Sequence, residues 1–251
     1  MNRFGAFAIH LGISLLIFIV LGYLIVFHWY PDFFFTTDGG WQGIRIIALV
    51  DLVLGPLLTL CVFKQGKPGL RTDLTLIGVF QLCCLSAGTY VVYSERPIAI
   101  VYTDGYFHSM SRGSYLDKDT QPPDLEQIPG PAPKWVAVDL PSDPHEQGEI
   151  RMSAWQAGKP LTLLVDRYTP LSIDTLDFAA DAYPLDRLQG HNRQAAIAKW
   201  LADHGGALED YAFFPLGTRY SYSFIGVKKS SREILGVLDT PLNAGQTANA
   251  S

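Results

Sequence analysis

Charge is scarce in this chain. Only 17% of its 251 residues are Asp, Glu, Lys or Arg, where soluble domains carry about a quarter. Cysteine is nearly absent too: Cys61, Cys83 and Cys84 are the whole complement. All three fall in apolar runs, where the adjacent Cys83 and Cys84 read as buried apolar filler, so no disulfide framework is available to the rest of the chain. An excess of positive charge is also missing. The net charge of −5 excludes the basic face that a nucleic-acid binder needs. There is no Gly-x-Ser-x-Gly, Walker loop, Cys-x-x-Cys or glycine-rich phosphate loop, and no internal repeat. Five Trp, 12 Tyr and 14 Phe exclude a disordered chain.

The charge that is present is unevenly spread. The first 93 residues hold three long apolar runs, at about 5–27, 44–63 and 74–93. Each is about 20 residues, and a helix rising about 1.5 Å per residue then spans a hydrocarbon core of about 30 Å. Soluble helices would show a polar face, which the first and third runs lack. The first run exceeds the apolar stretch of a cleaved signal, and His28-Trp29-Tyr30-Pro31 offers no small-residue cleavage site, so this helix is expected to stay. Arg3, Lys64, Lys67 and Arg71 fall on one side of the three spans, and Arg45 and Arg96 on the other. By the positive-inside rule the amino terminus is expected inside and everything after Tyr93 outside.

From residue 94 the composition changes. Residues 94–242 read as one water-facing α+β unit rich in strands, and the small polar tail 243–251 as disordered. Strands are expected at Pro97–Tyr102, at Tyr106–His108 after a Thr103-Asp104-Gly105 turn, and at Lys134–Leu140. Leu161–Tyr168, Arg219–Val227 and, more weakly, Ser231–Leu238 look similar. Helices are expected at Glu149–Ala157 and at Asn192–His204, the second capped by Asn192 and ended by Gly205-Gly206. The Pro- and acid-rich stretch 117–133 reads as a loop. The predicted fold is thus a three-helix transmembrane bundle followed by a strand-rich α+β extracytoplasmic domain.

Polar residues inside the apolar runs are the candidate site, because an Asp at mid-membrane costs about 2.5–3.5 kcal/mol and needs a partner. Counting at about 1.5 Å per residue from Phe63 and from Leu74 places Asp51 level with Ser86 and near Thr89. The same count places His10 level with Thr59 and Gln81. Two polar layers are expected: Asp51 with Ser86 or Thr89, and His10 with Gln81 and Thr59. They serve as interhelical glue, as a docking point for another membrane helix, or as a proton relay. Pro56 removes a backbone donor and Gly55 exposes backbone, so a kink and close helix approach are expected there. In the outer region His108, His145, His191 and His204 are scattered. Asp143, His145, Glu146 and Glu149 have metal-like residue types without ligand spacing and read as a solvated turn. Neither an enzyme nor a cofactor or metal is expected.

Certain residues carry a resemblance. The opening Arg3, Phe4, Ala6, Phe7, Ile9 and His10 is similar to the start of the TfpX/TfpZ family of type IV pilin accessory proteins. So is the block Asp38-Gly39-Gly40-Trp41-Gln42-Gly43-Ile44-Arg45 running into Val50-Asp51-Leu52-Val53-Leu54-Gly55-Pro56. The spacing to Lys64, Arg71 and Asp73, and Arg96-Pro97 after Tyr93, fit as well. The resemblance covers the first 105 or so residues. It implies a multi-pass protein of a Gram-negative inner membrane that assists assembly or display of type IV pilin without catalysis. Its partners would be pilin and other pilus-assembly proteins within membrane lipid. The competing class is a membrane-anchored sensor or enzyme with a ligand pocket in the outer domain.

Overall fold

Asn2 starts the first helix: its side-chain oxygen accepts from the Gly5 amide at 2.8 Å, satisfying one of the donors that every helix start leaves open. The computed structural model describes residues 2–189 and 193–238. It divides into two units, Met1–Arg96 and Pro97–Ser251.

The first unit consists of helices α1 (Arg3–Trp29), α2 (Gly40–Val62) and α3 (Leu70–Ser94), each long and apolar enough to cross a membrane. α1 and α3 run beyond the apolar runs that announce them at both ends, and α2 starts four residues before its run and ends one residue short of it. Arg71 and Asp73 lie inside the first turn of α3, where water still reaches them, and Asp73 both faces the positive helix end and pairs with Lys67 at 2.6 Å. Two stretches are wound wider than an α-helix. The end of α1 closes with the Tyr30 amide on the carbonyl of Ile25 at 2.8 Å. In α2, residues Leu49–Leu54 form a π-helical segment in which the Gly55 amide bonds to Val50. Pro56 follows at once and has no amide to offer the ordinary ladder, so the pairing slips by one residue ahead of it. The expected disturbance at Pro56 therefore takes the form of a widened turn.

Close approach between helices depends on glycine. Gly39 opens α2 at φ 107°, a conformation costly for other residues. A Cβ on Gly43 would lie 2.7 Å from the Val92 side chain of α3, so only glycine lets the two helices meet there.

The second unit is built on one mixed sheet of seven strands in the order β4-β3-β1-β2-β5-β6-β7. Strands β1 (Pro97–Thr103) and β2 (Tyr106–Ser111) form the expected hairpin. Its turn residues Asp104 and Gly105 both take positive φ, the geometry that follows strand twist. β3 (Lys134–Val138) pairs parallel to β1. β5 (Tyr211–Gly217), β6 (Tyr222–Lys228) and β7 (Glu233–Leu238) form an antiparallel run.

Two expectations change. Leu161–Tyr168 is not a strand: it makes two 3-10 turns, Leu161–Leu163 and Val165–Arg167, and only β4 (Tyr168–Pro170) joins the sheet. The turns put Thr162 and Leu163 into the core, and the Tyr168 hydroxyl anchors the corner on the Tyr115 hydroxyl at 3.0 Å. β5 has no counterpart in the sequence reading. Its run Tyr-Ala-Phe-Phe-Pro-Leu does not alternate, because helices and loops cover both its faces and six of its seven residues are buried.

Helix α4 (Pro144–Gln156) begins with Asp143 accepting the amides of His145 and Glu146, both at 2.9 Å. α5 (Gln194–His204) lays Ile197 and Trp200 on Tyr211, Phe213, Phe224 and Leu238. A Cβ on Gly226 would strike the Trp200 ring, so the glycine is what lets the indole lie on the sheet. The other face of β1, β2 and β5 carries an aromatic cluster of Tyr102, Phe107 and Phe214. The proposed cap Asn192 and the tail 243–251 lie outside the described residues.

Candidate functional site

Ser14 is eleven residues on from the start of α1 at Arg3, Gln81 eleven on from the start of α3 at Leu70, and Asp51 eleven before the end of α2 at Val62. With α2 antiparallel to its neighbours, the three side chains meet about 16 Å from one end of the bundle. Asp51 is 1% exposed. Its Oδ1 accepts from the Ser14 hydroxyl at 3.0 Å and from the Gln81 amide nitrogen in a short contact. The Gln81 nitrogen also reaches Ser14 Oγ at 3.2 Å and the Asp51 carbonyl at 3.3 Å.

Gln81 faces both ways. With its nitrogen on Asp51, its Oε1 accepts from His10 Nε2 at 2.7 Å. His10 Nδ1 lies 2.6 Å from Thr59 Oγ1, and in a neutral ring it takes the hydroxyl proton. One connected network thus ties all three helices, from Thr59 through His10 and Gln81 to Ser14 and Asp51. Gly55 lies beneath it, and a Cβ there would overlap the Gln81 side-chain amide. Asp51 Oδ2 is buried and has no hydrogen-bond partner among the described residues.

His10, Thr59 and Gln81 are brought together as the sequence count places them. Asp51 is not with Ser86 or Thr89: it bonds to Ser14 and Gln81. The count started α3 at Leu74, but the helix starts at Leu70, and four residues shift every level on it by about 6 Å; this brings Gln81 to Asp51, and only the length of its side chain lets it still reach back to His10. Ser86 is exposed and Thr89 half-buried, and both line a groove between α1 and α3 with Leu16, Ile17, Val20 and Tyr90. Ser14 was missed, although it lies one turn beyond His10 and therefore on the same face of α1. Pro56 is buried like Asp51, so neither presents its side chain outward to a docking helix. Cys83 is also not core filler: it faces out from the bundle, as Cys61 does, with Cys84 half-buried.

Among the described residues the outer unit shows no comparable constellation. Burial holds His108 below the usual histidine range, with Asp104 opposing more weakly. His145 pairs with Glu149 at 3.6 Å on an exposed face. His204 stacks on Trp200 with ring centres 4.0 Å apart. His191 lies outside the described residues. Among the described residues no three His, Cys, Asp or Glu side chains stand together as a metal site.

Comparison with known proteins points one way. The chain is 30% identical over 132 residues to "Fimbrial assembly protein, serogroup E1" of Dichelobacter nodosus, covering 51% of this chain and 47% of that protein. It is 33% identical over 113 residues to "Fimbrial assembly protein, serogroups C1 and C2" of the same organism, covering 43% of this chain and 84% of the relative. The serogroup I protein matches at 30% over 132 residues, 47% of its length. The chain thus spans about half the length of two of these relatives and most of the third. No protein-family model and no solved structure matches it.

Proposed function

The chain belongs to the family of fimbrial assembly proteins, and from that membership we propose that it assists the assembly or display of type IV pilin, as a TfpX/TfpZ-like accessory protein of the bacterial inner membrane. In this reading the amino terminus is cytoplasmic, residues 94–242 form the periplasmic domain, and the role is non-catalytic. The bundle meets the membrane helix of pilin and the sheet domain meets its head.

The observation that carries the contact is the structure of α2. Its widened turn, of a kind that recurs at functional sites, is held from inside by Asp51, Gln81 and Ser14. Opposite that network Leu49, Val53, Leu54 and Leu57 are exposed. Asp51 and Pro56 act by shaping this outward face rather than by touching the partner.

Photoreactive residues at Val53 and Leu57 of α2, and at Leu76 and Phe80 of α3, test this in living cells. Pilin captured from the α2 positions and not from α3 is the expected result. If none of the four positions captures pilin while the protein is present at its normal level, the contact is wrong. Asp51→Ala and Pro56→Ala should reduce piliation without lowering protein level, and normal piliation in both would remove α2 from the mechanism.

A further inference from the structure

We propose that the groove between α1 and α3 is a phospholipid site, with an acyl chain in the groove and the lipid phosphate on Arg96. Both helices pack on α2, through Gly22 against Ile44 and Gly43 against Val92. A slot of about 740 Å³ is left between them, walled by Leu16, Ile17, Val20, Leu85 and Tyr90. The lining is mainly apolar, its polar groups being the hydroxyls of Ser86, Thr89, Tyr90 and Tyr93 and the Trp29 indole, which suits a hydrocarbon chain.

The slot's mouth is built for an anion. Trp29 meets Tyr93 edge to face at 5.1 Å, the amphipathic pair expected at a membrane–water boundary. Arg96 lies flat on the Tyr93 ring, 3.6 Å from its centre, and donates one N–H to the Tyr93 carbonyl at 2.6 Å. No acidic side chain pairs with Arg96 among the described residues. Its remaining donors lie on the Tyr93 ring that lines the groove and make no ion pair among the described residues, and a guanidinium offers them in the fork that suits phosphate. A phospholipid supplies both complements in one molecule: hydrocarbon for the slot and phosphate for the guanidinium. An apolar partner helix would supply only the first.

The inference needs the helices to lie in a bilayer and does not depend on pilin. Native mass spectrometry of the full chain released from vesicles of phosphatidylethanolamine and phosphatidylglycerol reads it directly. Wild type should retain one phospholipid. Arg96→Gln should retain it about tenfold less, the loss expected of one charge-assisted hydrogen bond. Val20→Trp, which fills the slot, should do the same, with both variants still recovered in the membrane fraction. Equal retention by wild type and both variants overturns the site. So does a photoreactive residue at Leu16 that labels a polypeptide and no lipid in cells, since that places a helix in the groove.

Discussion

Gly55 shows how one missing methyl group decides a site. The Gln81 amide occupies the space a Cβ would take, and the core of a bundle yields little, so Gly55→Ala should cost about 1–3 kcal/mol through overpacking. The unfolding midpoint of the detergent-solubilised protein should fall accordingly. Gly12→Ala in α1, where a Cβ would meet nothing within 4 Å, should leave it unchanged or raise it. Of the residues singled out in the sequence, His10, Thr59 and Gln81 were legible because a polar side chain in an apolar run has to find a partner near its own depth. Ser14 was not, because a serine costs little in a membrane helix and draws no notice until Asp51 is seen bonded to it.

At the scale of elements, the polar network makes three helices one object. Gln81 holds the branches together, so Gln81→Leu separates His10 from Asp51 and leaves the carboxyl with Ser14 alone. Each interhelical hydrogen bond is worth about 0.6–2 kcal/mol. The expected outcome is a loss of that order per bond in denaturant titrations in mixed micelles. Combined with Asp51→Leu the effects should fall short of additive, because the two side chains share one interaction. Ser86→Ala and Thr89→Ala, which lie outside the network, should not move the transition. In the outer unit the elements with strong local chemistry were readable: the Asp104-Gly105 hairpin with the β-branched run of β1, and β3 with its alternation. β4 and β5 were not. The residues 161–167 are apolar for the sake of a buried corner, and β5 is apolar throughout because both of its faces are covered.

For the molecule as a whole, pH offers a test confined to the sheet unit. Burial keeps His108 below its ordinary range near about 6.5, so the unfolded chain takes up a proton that the folded one resists. Stability from this residue is full above that pH and is lost as pH falls below it, until His108 charges within the fold. Burial acts on the tyrosines in the opposite sense: Tyr115 is pushed up to about 12, and Tyr168 is raised by burial and by its partner Tyr115. Their contribution is complete below the ordinary tyrosine value of about 10 and lost as pH rises past it. Tryptophan fluorescence of the full chain should report a stability plateau between these limits. His108→Gln should flatten the acid limb and leave the alkaline one in place. An unchanged acid limb in that variant would assign it to other groups.

The three apolar helices and the strand-rich remainder were determined by the sequence alone, because hydropathy over about 20 residues and the period of a strand are local properties of composition. The family resemblance is likewise carried by contiguous residues. Only the tertiary structure decided which polar side chains meet inside the bundle. That outcome depends on where each helix begins, on the extra width of the turn before Pro56, and on the rotation of three helices about their axes. Four residues at the start of α3 were enough to move Gln81 to the level of Asp51.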